Sequence, residues 1–254
     1  MSALIIENLT WPELDKKIKN VKLALVPVGS CEQHGANSTF YTDAGRADAI
    51  SKLLAERLGD LAVSYPPVNY GVSLHHMDFP GTVTLRPETL INLLEDIAIS
   101  ISQHGINKIL FLEGHGGNDH AIACAATTLK QQYGIEAYWT GFGSRTSTGG
   151  LPIPGPVYGH ADEFEISSTL GLCPQYVRED RVAGIMQDSP YTGGFNGGAW
   201  SWKYDASLNG AVGDARKATT EIGERMRNEA LDYLEKLART IIAYEAKGRY
   251  YPAK

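Results

Sequence analysis

Imidazoles and carboxylates gather at three places in this 254-residue sequence: Glu32-Gln33-His34 with Asp43 nine residues beyond the histidine, Glu113-Gly-His115-Gly-Gly-Asn118, and Gly159-His160-Ala-Asp162-Glu163-Phe-Glu165. In an extended segment, residues two apart point the same way. Glu32 and His34 can therefore face one centre, or two adjacent ones, while Gln33 turns aside. Asp43 opens a run with helical spacing, where a carboxylate is favoured simply as a cap, and taken alone it reads as that cap. Glycines on both sides of His115 remove side-chain bulk and let backbone come close to a bound group. The spacing there is neither G-x-G-x-x-G nor a P-loop, which argues against a nucleotide site. Each cluster singly is compatible with solvated acids and hydrogen-bonded imidazoles. Converging, several histidines and carboxylates without cysteine suit Zn2+ or Mn2+ in a mixed nitrogen and oxygen site. Two ions ~3.5–4 Å apart could share a carboxylate and a hydroxide, lowering the pKa of water while polarising a carbonyl.

The elements that must position these residues are legible from periodicity. Residues 23–28 are an apolar run closed by Gly29 and predict a buried strand with Pro27 near its end. Ala47, Ile50, Leu54 and Leu58 follow at helical spacing, with Gly59 where a C-terminal cap is expected. Residues 61–65, 108–113 and 135–140 predict further strands. Leu90, Leu93, Leu94, Ile97 and Ile101 predict a helix entered at Pro87, and residues 122–133 predict one ended by Gly134. Strands alternating with helices in this way predict an α/β fold: a single domain over residues 1–254, with a mostly parallel sheet flanked by helices on both faces. Ligands bind outside the carboxyl ends of such strands, where the first two clusters fall.

Residues 141–159, dense in Gly and Pro, predict an active-site loop. Residues 188–213 carry Tyr191, Phe195, Trp200, Trp202 and Tyr204, which either cover a pocket or fill surface crevices, two readings of equal weight. Residues 219–247 predict a long charged helix.

The 23 Lys+Arg against 29 Asp+Glu give a net charge of −6, and no basic cluster offers a nucleic-acid backbone a footing. A 43% hydrophobic and 20% charged composition supports a sizeable core and excludes the disordered classes. Cys31, Cys124 and Cys173 are odd in number and widely spaced, as expected in a reducing compartment. No apolar run reaches the ~18 residues of a membrane span, and the first residues do not read as a secretory signal. A cytoplasmic protein with neither a nucleic-acid nor a membrane partner is expected.

The motifs together resemble the creatininase (creatinine amidohydrolase) family of metal-dependent hydrolases. Val26-Pro-Val-Gly-Ser-Cys-Glu32-Gln-His34-Gly resembles the family's first motif, closed by the Thr-Asp of Asp43. Phe79-Pro-Gly-Thr82, Glu113-Gly-His115-Gly-Gly-Asn118, His160-Ala-Asp-Glu-Phe-Glu165-Ile-Ser and Gly213-Asp-Ala-Arg-Lys-Ala-Thr219 resemble later family segments in the family's order, covering about residues 8–225. The resemblance implies two divalent ions, Zn2+ foremost with Mn2+ or Fe2+ as alternatives. Glu32, Asp43 and His115 would hold the first and His34, Asp43 and Glu165 the second, Asp43 bridging. It implies His160 as general acid/base, with a pKa near neutrality suited to that task. His76 would contact substrate, and the Gly116 and Gly117 turn would offer backbone N–H groups to an oxyanion. It also implies a homohexamer.

Several positions depart from the family pattern. Asn37-Ser-Thr-Phe40 stands where many members have His-Leu-Pro, and Asp162 and Ile166 replace a Gly and a Thr. Members acting on creatinine carry a ligating Glu where this chain has Gly117. Another acid must then serve, and Glu165 fits the motif, with Glu163 as the alternative. The same departure disfavours creatinine as substrate. The reading is a dinuclear metal-dependent hydrolase using a metal-bridging hydroxide to cleave a C–N bond of a small cyclic amide or formamide. The alternatives are opening of a keto-inositol or lactone and, from a different class, a non-catalytic metal-dependent binding protein.

Overall fold

The computed structural model describes residues 3–143, 149–150, 159–187 and 200–246. Five strands, β1 (Leu4–Ile5), β2 (Leu23–Val28), β3 (Ala62–Ser64), β4 (Lys108–Glu113) and β5 (Glu136–Gly141), form one sheet in the order β1-β3-β2-β4-β5. Every pairing in it is parallel, with Val28 of β2 opposite Glu113 of β4. The central strands β2 and β4 therefore end side by side. Both run buried along nearly their whole length, as strands covered on two faces do.

The period of two along β2 and β4 sorts their side chains between two cores. Ala24, Val26, Val28, Ile109 and Phe111 face helices α3 (Pro87–Ser102) and α4 (Asp119–Thr128). Leu23, Leu25, Leu110 and Leu112 face α2 (Thr42–Leu58) and α6 (Thr220–Ala243). The remaining helices are the short α1 (Trp11–Asp15) and α5 (Glu163–Leu172), which lies against α6 so closely that a Cβ on Gly171 would meet the Gly223 carbonyl at 2.2 Å. A two-stranded antiparallel pair, β6 (Ala183–Gly184) and β7 (Gly213–Asp214), stands apart from the main sheet. The α/β architecture with helices on both faces is as the periodicity predicts.

Differences are local. The helix after β2 begins at Thr42, so Asp43 lies inside its first turn and Tyr41 occupies the cap position. The cap reading of Asp43 is thereby corrected. The helix expected over 122–133 starts at Asp119 and changes to a wider π-turn over Leu129–Tyr133, ending at Gly134 with φ 68°. Thr219 caps α6, accepting a hydrogen bond from the Ile222 N–H. Most of the predicted 141–159 loop, and Tyr191 and Phe195 of the aromatic stretch, lie outside the described residues. Among the described residues no helix is long and apolar enough to cross a membrane, and Cys31, Cys124 and Cys173 are free thiols.

Gly29 sets the contact between the end of β2 and the start of α2: a Cβ there would lie 2.4 Å from the Ala44 nitrogen and 2.5 Å from its Cα. Backbone meets backbone, so little can yield. Gly29→Ala is expected to destabilise the fold by about 1–3 kcal/mol, the usual range for overpacking, read as a lowered midpoint in chemical denaturation. An unchanged midpoint would show that the strand and helix can separate at this point.

Candidate metal centre

Four stretches of chain meet beyond the carboxyl ends of β2 and β4. The chain leaving β2 supplies Glu32 and His34, the first turn of α2 supplies Asp43, and the turn after β4 supplies His115. The segment before α5 supplies His160, and the first turn of that helix Glu165. Asp162 caps α5 by accepting the Glu165 N–H at 2.8 Å, which places His160 off the helix and Glu165 on it. Ala161 between them has φ 50°, a left-handed conformation unusual for alanine, and its N–H donates to Glu165 Oε2 at 2.7 Å.

Each histidine is oriented by a backbone carbonyl on one ring nitrogen, which leaves the other nitrogen for the centre. His34 Nδ1 meets the Glu32 carbonyl at 3.2 Å, His115 Nε2 the Val72 carbonyl at 3.0 Å and His160 Nε2 the Gln33 carbonyl at 2.7 Å. The inward nitrogens face carboxylates. His115 Nδ1 is 3.1 Å from Glu32 Oε1 and 3.5 Å from Asp43 Oδ2; His34 Nε2 is 3.3 Å from Asp43 Oδ1 and 3.6 Å from Glu165 Oε2. Asp43 thus gives one oxygen to each pair. His160 Nδ1 lies 3.7 Å from Glu165 Oε2 and 3.9 Å from Glu32 Oε1.

These spacings fit cations. Bonds of about 2.0–2.2 Å around a tetrahedral ion separate its ligand atoms by ~3.4 Å. His34 Nε2 and Asp43 Oδ2 are buried without a hydrogen-bond partner, as atoms meant for a metal would be. Several overlapping triads, among them Glu32, His34 and Asp43, and His34, His160 and Glu165, have ligand atoms within 4.8 Å of one another.

Electrostatics agree with that reading. Burial by itself lowers the His115 pKa, but the Glu32 carboxylate, with help from Asp43, pushes it up to about 10. His34 is likewise held well above its ordinary value by Glu165 and Asp43 against the opposing effect of burial. Burial raises the Glu32 and Glu165 carboxyls, yet His115 and His76 around the first, and Arg46 and His34 around the second, hold both well below the carboxylate range. Protons on the two rings thus occupy the place of cations. His160 is shifted down by burial and by the neighbouring His34, so its ring is the neutral one.

His76 is fixed differently. The Gln33 amide donates to His76 Nδ1 at 2.9 Å and to the Gly210 carbonyl at 2.9 Å, so the ring proton sits on Nε2, 3.6 Å from Glu32 Oε1. His76 presents a donor to the site. Gly116 and Gly117 form the turn behind His115, and a Cβ on Gly117 would lie 2.4 Å from His115 Nε2 and 2.3 Å from the Val72 carbonyl. No glutamate fits there. Glu163 accepts the Asp214 N–H at 2.7 Å and so is tied to β7, whereas Glu165 faces the cluster.

Some contributors have no motif to announce them. Ser73 donates to Glu32 Oε2 at 2.6 Å, and Asn118 bridges the Val72 N–H and the Gly29 carbonyl, locking the His115 turn to β2. His75 stacks on Trp200 with centroids 5.1 Å apart, and burial takes its pKa down to about 4. Trp202, nine-tenths buried, stacks on His76 at 4.9 Å and meets His160 edge-on at 4.8 Å. Of the two readings for the aromatic stretch, Trp202 follows the pocket-covering one, while Tyr204 is 63% exposed. Arg46, on α2 one turn past Asp43, is buried against both Asp43 and Glu165. The one available signal was a cation at i+3 from a candidate ligand.

Comparison with known proteins places this geometry. The family model for creatininase, described as creatinine amidohydrolase, matches residues 7–238. A mycofactocin precursor peptide peptidase of Mycolicibacterium smegmatis is 33% identical over 222 residues, covering 84% of this chain and 82% of that protein. A 3-dehydro-scyllo-inosose hydrolase of Thermotoga maritima is 26% identical over 278 residues, covering 100% of this chain and 88% of that protein. Among solved structures, a mutant creatininase of Zn–Zn type shares the fold at a TM-score of 0.79 and 22% identity, covering 96% of this chain and 100% of that one. With its family motifs gathered around one buried cluster and the family model spanning nearly its whole length, the chain belongs to the creatininase family of metal-dependent hydrolases.

Proposed function

We propose that the chain, acting as one domain over residues 1–254, is a two-metal hydrolase that cleaves a C–N bond in a small cyclic amide or formamide. The observation that carries this reading is Asp43, whose two oxygens face His115 and His34 separately at 3.5 and 3.3 Å. Glu32, Asp43 and His115 would hold one divalent ion and His34, Asp43 and Glu165 the other. Nitrogen and oxygen donors without thiolate favour Zn2+, with Mn2+ and Fe2+ compatible. When bound, such ions supply Lewis-acid activation of water and of the substrate carbonyl.

The protein's own groups do the rest. Glu32 is kept ionised by the imidazoles around it and held in one rotamer by Ser73, so its position is set before substrate arrives. As water adds to the carbonyl carbon, a new C–O bond forms and the released proton passes to Nδ1 of His160, whose Nε2 is occupied by the Gln33 carbonyl. The same atom returns that proton to the departing nitrogen as the C–N bond breaks. His76 offers its Nε2 proton to a substrate oxygen, and the Gly116 and Gly117 amides lie beside His115 to meet a developing oxyanion. Trp202 closes one side against water.

A second reading, opening of a keto-inositol or lactone, is supported by the full-length similarity to an inosose hydrolase. The two differ in the leaving group, since an amine needs a proton to depart. The hexameric assembly implied by the family resemblance, and the cytoplasmic location expected from the sequence, belong to the same proposal.

Metal analysis after loading with Zn2+ or Mn2+ and desalting is expected to give about two ions per chain. His34→Ala and Glu165→Gln should each lose one of them, while Glu163→Gln retains both. Retention of two ions by Glu165→Gln would remove that ligand from the scheme. His160→Ala should keep its metal and lose amide cleavage by about 10²–10⁴-fold, with a smaller loss on lactones. Equal losses on both substrate classes would take the proton-transfer role away from His160.

A further inference from the structure

We infer that Arg46 is a resident cation of the centre, which holds one oxygen each of Asp43 and Glu165 and opposes the ion that His34, Asp43 and Glu165 would bind. The inference rests on the two-ion reading above and adds a ranking of the two positions, with the Glu32 and His115 ion bound first.

Arg46 is buried, and its guanidinium carries a charge at any working pH. Nη2 alone serves three acceptors: Asp43 Oδ1 at 3.1 Å, Glu165 Oε1 at 2.5 Å and the Gly114 carbonyl at 3.2 Å. The ring of Phe142 covers the guanidinium, 5.8 Å from its carbon. Each carboxylate is thus gripped by one oxygen, while the other, Asp43 Oδ2 or Glu165 Oε2, faces His115 or His34 respectively. Asp43 Oδ1 is also the oxygen 3.3 Å from His34, so the arginine and the second ion would draw on the same atom. Contact is confined to this side of the cluster: the carboxylates that Arg46 touches are those of the second ion, and Asp43 is the one it shares with the first.

Two physical consequences follow. A buried carboxylate left without a partner is costly, and the guanidinium pairs with two of them. The same charge, an ion-pair distance from the oxygens that receive a dication, repels that dication even at the high effective dielectric of real sites.

The test uses full-length protein stripped with chelator and titrated with Zn2+ alone, by calorimetry in the presence of a competing chelator. Wild type should take up two ions in unequal steps. Arg46→Met, and Arg46→Gln, which retains a hydrogen-bond donor, should lower the melting temperature of the metal-free protein, enlarge the upward shift on adding Zn2+, and tighten the second step by about tenfold or more relative to the first. Arg46→Lys should stay near wild type. Loss of the second step in both neutral variants would overturn the inference, because Arg46 would then assist that ion. So would an unchanged ratio of the two steps, or variants that fold neither with nor without Zn2+. If wild type takes up no Zn2+, Mn2+ or Fe2+, the two-ion reading itself fails and this inference falls with it.

Discussion

Glu32 and Asp43 lie buried beside Glu165 and the rings of His34, His115 and His160, and charges removed from water in this way persist only where they are paired and hydrogen-bonded. Nearly every feature around the cluster answers that constraint. Backbone carbonyls fix three imidazoles in one tautomer each, Ser73 takes a Glu32 oxygen, and Arg46 takes one oxygen from each of two acids. Two inward-facing atoms, His34 Nε2 and Asp43 Oδ2, are left without a hydrogen-bond partner.

The sheet makes such a gathering possible. Because β2 and β4 are neighbours and parallel, their carboxyl ends open at the same edge, and the loops that follow them must cross there. Close approach then does the fine placement. Gly29 lets α2 start against the end of β2, and Gly114 lets the turn after β4 come near the Asp43 carbonyl, 2.7 Å from where a Cβ would stand. Helix α5 reaches the same point through its tight contact with α6, bringing Glu165 from far along the chain.

A shared centre leaves substrate choice to its walls, since fold and reaction site do not by themselves set specificity. The relatives named above differ in what they act on, from a precursor peptide to a keto-inositol. In this chain the walls include Trp202 against His76 and His160, the His75 and Trp200 stack, and the bare backbone at Gly117 where the His115 ring leaves no room for an acid. A side chain at Gly117 would meet the Val72 carbonyl and the His115 ring, while Glu165 faces His34 from the first turn of α5.

The strands and helices were legible because burial writes itself into local period: β2 and β4 as apolar runs, α3 as an amphipathic stripe, α6 as a long charged helix. The three gatherings of histidine and acid were legible too, and the structure brings their side chains within a few ångströms of one another. Which atoms meet was not. Asp43 looks like a helix cap until α2 is seen to begin one residue before it, and Glu163 and Glu165 are distinguished only by where α5 starts and where β7 runs. Ser73 carries no local signature, and Arg46 and Trp202 carry weak ones. Residue order therefore determined the layered architecture and the kinds of ligand available, because those depend on short-range pattern. Folding alone decided which carboxylate oxygen faces which nitrogen and which cation sits between the acids, because those contacts bring together four separate stretches of chain, with Arg46 and Glu165 119 residues apart.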